Sequence, residues 1–119
     1  MKDYRKLTIW QRSHQLTLSV YAASRAFPKE ELYGLTSQMR RAASLMPANI
    51  AEGCGRDSDA ELKRFLDIAH GSAAELEYHL LLACELLYLE QALHDRLTSE
   101  LVEIKRMIGA FSRKLKAER

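Results

Sequence analysis

Residues Tyr33 to Arg56 read YGLTSQMRRAASLMPANIAEGCGR, and this stretch decides the fold. Wound at about 100° per residue, it places Leu35, Met39, Ala42, Ala43, Met46, Ile50 and Gly53 on one stripe, the core face of an amphipathic helix. The opposite side carries Arg41, Leu45, Ala48 and Glu52, with little that needs water. An isolated small bundle would fill that side with Lys, Glu and Gln. Covering of this side by a second copy of the chain is therefore expected.

Three further helices follow from the same periodicity. A first helix over about residues 9–26 repeats Ile9, Ser13, Leu16, Val20, Ala23 and Phe27 at three- and four-residue spacing and stops at Phe27-Pro28, because the residue before proline is pushed out of the α region. Lys29-Glu30-Glu31 reads as a short solvated connection to the second helix, about 34–53. Pro47 inside that helix lacks an N–H and predicts a kink near Ala43 to Pro47, and Gly53-Cys54-Gly55 predicts a left-handed stop. Ser58-Asp59-Ala60-Glu61 has the form of a capping box and opens a third helix over 59–89. Its core stripe is Leu62, Phe65, Ala69, Ser72, Leu76, Leu80, Ala83 and Leu87; its far side holds Gly71, Ala74, Tyr78, Leu81 and Leu82, a second apolar patch. The fourth, about 95–116, turns Leu97, Leu101, Ile104, Ile108, Phe111 and Leu115 inward. Four amphipathic helices with short joins predict a single all-α domain over 1–119, an up-down-up-down antiparallel four-helix bundle. The second apolar sides of helices two and three predict a homo-oligomer with those helices in the contact. Small residues such as Gly71 and Ala74 would let another helix approach closely.

Composition is consistent with this reading. The chain has 119 residues, enough for one core. Its two cysteines, Cys54 and Cys84, show no CxxC spacing and suit a reducing compartment. No apolar run approaches the ~18 residues of a membrane span. The start, MKDYRKLTIW, lacks a signal peptide's apolar segment and cleavage site, so a cytoplasmic protein with no membrane partner is expected. Charge is segregated. Residues 1–58 hold nine Lys/Arg against five Asp/Glu, residues 59–104 three against ten, and residues 105–119 six against one. Binding to a polyanion and pairing between helices of opposite sign both produce such a pattern.

The segments YGLTSQMRRAA, PANIAEGCGR and FLDIAHGSAAELE, with Leu7-Thr8-Ile9-Trp10-Gln11 and Phe27-Pro28 upstream, resemble the signature of the four helix bundle protein family, also called the 23S-rRNA-intervening-sequence proteins. The resemblance covers residues 4–90; the last thirty or so residues match less closely, and Cys54 and His70 sit at variable positions. It implies a homo-oligomeric four-helix bundle, a ring of five. It also implies a looser likeness to the accessory proteins of diversity-generating retroelements, bundles that engage nucleic acid and a reverse transcriptase or other nucleic-acid enzyme.

Catalytic chemistry finds little support. A carboxylate-bridged di-iron site needs Glu-x-x-His on two helices, yet none of His14, His70, His79 or His94 has Glu three residues before it; Glu75 precedes His79 by four. HExxH, a phosphate loop and a nucleophile elbow are absent from the sequence. No metal, no cofactor and no enzymatic activity are expected. Two groups of residues remain as candidates. The first is Arg41, Asn49, Glu52 and Glu75, charged or polar groups on faces expected to be covered. Arg41 reads as an ion-pair residue across helices or subunits, because a charge in a covered face needs a partner. Asn49 can bond the backbone freed by Pro47 or a neighbouring helix. A polar ligand cluster around residues 49–56 is the functional alternative. The second is a basic end formed by Lys2, Arg5, Lys6, Arg106, Arg113, Lys114 and Lys116, with Tyr4 and Trp10 among them. There, Lys and Arg would bind phosphates of RNA or DNA without reading sequence and the aromatics would stack bases. The rival is a protein-interaction scaffold whose basic ends only balance helix dipoles.

Overall fold

The computed structural model describes residues 2–117, with side chains as far as Leu115. Four helices form: α1 (Thr8–Ser24), α2 (Leu35–Cys54), α3 (Asp59–Glu85) and α4 (Gln91–Ala117), with short 3-10 turns at Tyr4–Lys6 and Lys29–Glu31. The described residues contain no strand. α2 packs on α1 and on α3, α3 on α4, and α4 returns to α1, while the diagonal pairs keep their Cα atoms more than 8 Å apart. The helices thus enclose one core along their length.

The stripes read from periodicity are the buried ones. On α2, Met39, Ala42, Ala43, Met46 and Ile50 are sealed from solvent; so are Leu76, Leu80 and Ala83 on α3 and Leu101, Ile104 and Ile108 on α4. Each large side chain of this kind contributes about 1.5–3 kcal/mol on burial. Ala23 and Phe111 are only half-buried, and Leu87 lies outside altogether. It is 90% exposed because α3 ends at Glu85 rather than near residue 89. Leu87 adopts φ 66°, its N–H donates to Cys84 O, and the Tyr88 N–H donates to Ala83 O at 2.9 Å. This is a Schellman stop in which leucine occupies the position that usually holds glycine. The left-handed conformation costs a leucine roughly 1–2 kcal/mol, and without a glycine the sequence carries no mark of the turn. α4 correspondingly begins one turn earlier than residue 95, at Gln91.

The stop of α2 differs too. No glycine among the described residues has positive φ. Gly55 stays right-handed, donating to Ala51 O and Glu52 O, so α2 ends by tightening. Gly53 has a packing role instead: a Cβ there would lie 2.9 Å from Phe65 Cβ and 3.0 Å from Leu62 Cδ1, so only glycine lets α3 come this close to α2. The capping box is half formed. Ser58 Oγ accepts from the Glu61 N–H at 3.1 Å, but the Glu61 carboxylate turns to Arg64. The 29–31 connection is likewise more than a solvated link. Glu31 accepts from the Leu35 N–H at the start of α2 and from the Tyr88 hydroxyl, each at 3.1 Å.

Pro47 is carried inside an unbroken α2. A proline removes the hydrogen bond to the carbonyl four residues back, here that of Ala43. The buried hydroxyl of Thr17 on α1 lies 3.0 Å from Ala43 O and 2.8 Å from Ser13 O, so its one proton is shared between its own helix and the carbonyl that Pro47 leaves free. Asn49 has another role, its Nδ2 donating to Leu45 O at 2.8 Å. Thr17→Val, which keeps shape and removes the donor, is expected to cost about 1–3 kcal/mol in urea unfolding, whereas Thr17→Ser should retain most of the wild-type stability.

Candidate functional site

The charge segregation resolves into two parts. Along the sides of the bundle, cations and carboxylates pair. Arg12 on α1 reaches across to α4, with Nη1 donating to Glu103 Oε1 at 2.6 Å and Nε to Glu100 Oε1 at 3.1 Å. Lys105 Nζ donates to Glu77 Oε1 at 2.7 Å, tying α4 to α3. Lys63 pairs with Asp67, Arg64 with Glu61, and Arg56 with Glu52. Asp67 also accepts from the Ser112 hydroxyl at 2.6 Å. Burial tends to raise the Asp67 carboxyl, but its bonds from Lys63 and Ser112 leave it below the usual range.

At the end that holds the chain start the cations lack such partners, as do the exposed Arg25, Lys29, Arg41 and Arg96 elsewhere among the described residues. Lys2, Lys6, Arg113 and Lys114 are exposed, and none forms an ion pair among the described residues. Lys2 and Lys114 line one concavity with Phe111 and Asp59, so the chain start and the end of α4 do meet. Arg5 sits 3.8 Å from Asp3 and lies over the Tyr4 ring. Arg106 is exposed beside Glu103 at 3.9 Å. The side chain of Lys116 lies outside the described residues. The two aromatics of this end are not free to stack bases. Both are half-buried against the core; the Tyr4 ring meets Trp10 edge-on, and Trp10 stacks on His14, each at 5.0 Å between centroids.

The outer face of α3 carries exposed apolar residues, whereas of the exposed α2 residues Ser37, Gln38, Arg41, Ala48 and Glu52 only Ala48 is apolar. Gly71, Ala74, Tyr78 and Leu81 are exposed on α3, joined by Ile68. A Cβ on Gly71 would meet nothing within 4 Å, so no contact within the protomer calls for a glycine there. Its neighbours Ser72 and Ala73 face the core. Arg41 and Glu52 do not pair across helices of one chain: Arg41 is exposed without an ion pair among the described residues, and Glu52 binds Arg56. Glu75 is exposed, its carboxylate 3.8 Å from Nε2 of the buried His79. No three His, Cys, Asp or Glu side chains cluster as metal ligands among the described residues, and none of the helices there is long and apolar enough to cross a membrane.

Periodicity gave no sign of a further concavity of about 500 Å³ at the start of α2, where Tyr21, Tyr33, Arg40 and Arg41 meet. The signal available was weak: an exposed aromatic just ahead of the helix and two consecutive arginines within it.

A four-helix, all-α chain with a basic end and an exposed apolar patch on α3 defines a class of small helical bundle. It belongs to the family described as 23S rRNA-intervening sequence protein, which it matches over residues 5–110, reaching well into α4. A protein of unknown function from the S23 ribosomal protein family of Bacteroides thetaiotaomicron has the same fold, with a TM-score of 0.80 at 21% identity over 88% of this chain and 95% of that one. No curated protein matches the chain.

The Arg12 link makes α1–α4 packing pH-dependent. Its hydrogen bond from Arg12 holds the Glu103 carboxyl below the ordinary value. A depressed carboxyl adds stability that is present above its unfolded-state pKa and is lost as pH falls through the folded one. The stability difference between wild type and Glu103→Gln should therefore be present at neutral pH and close as pH drops below about 4.3, as followed by urea unfolding across that range.

Proposed function

We propose that the chain is a non-enzymatic, up-down-up-down helical bundle that assembles with copies of itself and binds the phosphate backbone of RNA or DNA through its basic end. The observation that supports nucleic-acid binding is the contrast in pairing. Arg12, Lys63, Arg64 and Lys105 each have a carboxylate, whereas Lys2, Lys6, Arg113 and Lys114 have none among the described residues. Pairing between helices (Arg12, Lys105) and within α3 (Lys63, Arg64) accounts for the first group. The second remains, and although Arg25, Lys29 and Arg96 are also exposed without a carboxylate among the described residues, only at this end do the chain start and the end of α4 bring such cations to one concavity. The family description, with its 23S rRNA intervening sequence, fits an RNA context. Contacts of this kind read charge rather than sequence.

Self-assembly is supported by the outer face of α3. Glycine in mid-helix costs roughly 0.5–1 kcal/mol relative to alanine, and Gly71 is compensated by no contact inside the protomer. Beside it, Tyr78 is 58% exposed and Leu81 43%, an arrangement suited to another helix lying close. The family resemblance suggests a ring of five, which would present five basic ends on one assembly and strengthen backbone binding by multivalency. If the scaffold reading holds instead, assembly persists and nucleic-acid binding is absent.

Ala74→Glu or Leu81→Glu should convert the assembly to folded monomers in sedimentation at micromolar concentration, since a stable contact buries more than about 1,000 Å² and a lone carboxylate inside it is strongly unfavourable. A wild type that sediments as a monomer would sink the assembly proposal.

Replacing Arg113 and Lys114 together by Gln should weaken binding to short RNAs of any sequence and flatten the salt dependence by up to about 0.9 per lost duplex phosphate contact. Unchanged affinity and slope would remove the basic end, and no binding by the wild type at low salt would leave the scaffold reading.

A further inference from the structure

The concavity at the start of α2 has the composition of a ligand site. Its walls include Tyr21, Tyr33, Ser37, Arg40, Arg41 and Ser44, and no carboxylate lines it. Arg40 is half-buried and fixed in place: Nε donates to Ser24 Oγ at 2.8 Å, Nη2 to Tyr21 O at 3.4 Å, and the guanidinium lies 4.8 Å from the centre of the Tyr21 ring. A guanidinium has five N–H donors, and those on Nη1 have no partner among the described residues. Arg41 is exposed and unpaired in the same set. Just ahead of Tyr33 in the chain, Glu31 is committed to the Leu35 N–H and the Tyr88 hydroxyl, and the exposed Glu30 does not line the concavity. Two arginine side chains, one of them preorganised, thus line an open surface concavity whose lining holds no carboxylate.

Tyr33 adds the second element. It is 93% exposed, although burying such a ring is ordinarily favourable. The other aromatics near cationic residues are already engaged, Trp10 on His14 and Phe65 beneath Arg56 and Arg64. Tyr33, stacked on no cation or ring among the described residues, lines the same concavity as the exposed Arg41.

We propose that this open concavity binds a nucleotide unit, its phosphate held by Arg40 and Arg41 and its base stacked on Tyr33. The geometry suits a phosphate because guanidinium forks match its oxygens in a bidentate fashion, and a planar base because aromatic stacking tolerates any base. The unit can be a free nucleotide or one residue of a single strand. Arg41, read from the sequence as an ion-pair residue, becomes a ligand contact. The site shares no residue with the basic end, so the two stand or fall separately.

The test uses the full chain with three probes: AMP and inorganic phosphate by calorimetry, and a single-stranded oligouridine of about ten nucleotides by anisotropy. Tyr33→Ala should weaken AMP and oligouridine by about tenfold and leave phosphate unchanged, and Arg41→Gln should weaken all three. Replacement of Arg113 and Lys114 by Gln should leave AMP affinity intact. Oligouridine bound far more tightly than AMP through this site identifies a strand segment as the ligand; comparable affinities identify a free nucleotide. The proposal is overturned if the wild type binds neither AMP nor oligouridine, or if neither responds to Tyr33→Ala and Arg41→Gln. Loss of strand binding only in the Arg113/Lys114 variant likewise defeats this site while the basic end stands. Dissociation of the assembly by Arg41→Gln would return Arg41 to the subunit contact and also overturn it.

Discussion

A proline sits in the core-facing turn of α2, and the bundle depends on how the missing backbone hydrogen bond is met. A buried carbonyl without a donor costs on the order of 1–3 kcal/mol, a sizeable share of the stability of a domain this small. Thr17 meets it from α1, with its hydroxyl between Ser13 O and Ala43 O. That one hydroxyl also sets the register of α1 against α2, since a shift along the axis would separate it from Ala43. On the other flank Gly53 admits Phe65 and Leu62 to the α2 backbone. α2 is thus gripped on two sides, and α4 closes the remaining gap between α1 and α3.

Electrostatics follows from that arrangement. Once α4 lies between α1 and α3, its carboxylates Glu100 and Glu103 fall opposite Arg12, and its Lys105 opposite Glu77. Acidic and basic segments that look segregated along the chain become neighbours in space. Cations at the chain start and near the end of α4 lie beyond the reach of these carboxylates and remain exposed. The same contrast recurs at the start of α2, where Arg40 is anchored by Ser24 and Tyr21 while Arg41 has no partner among the described residues. Pairing stabilises the sides, and cations without a carboxylate stay exposed at the chain start, near the end of α4 and at Arg41.

Helix number, helix type and the core stripes were legible from residue spacing alone. Burial against a neighbouring helix selects every third or fourth position, and Met39, Ile50, Leu76 and Ile104 could satisfy that selection in only one way. The basic end was legible as a list of cations, and the poverty of charge on Gly71, Ala74 and Leu81 was visible in the same reading. Helix ends were less so. Leucine at a left-handed stop carries no local signature, so the α3 terminus at Glu85 is set by the Tyr88 N–H finding Ala83 O and by the Tyr88 hydroxyl finding Glu31.

Partnerships across the bundle required the tertiary structure. Nothing in the sequence tells that Thr17 serves Pro47, that Gly53 is a packing contact rather than a turn, or that Trp10 is spent on His14 while Tyr33 stays open. The reason is physical. A stripe is a property of one helix and is encoded by its own periodicity, whereas a donor for a freed carbonyl or a partner for a guanidinium comes from a residue tens of positions away. The sequence by itself determined which surfaces must be buried; only the packed helices decided which polar groups were left with partners and which without.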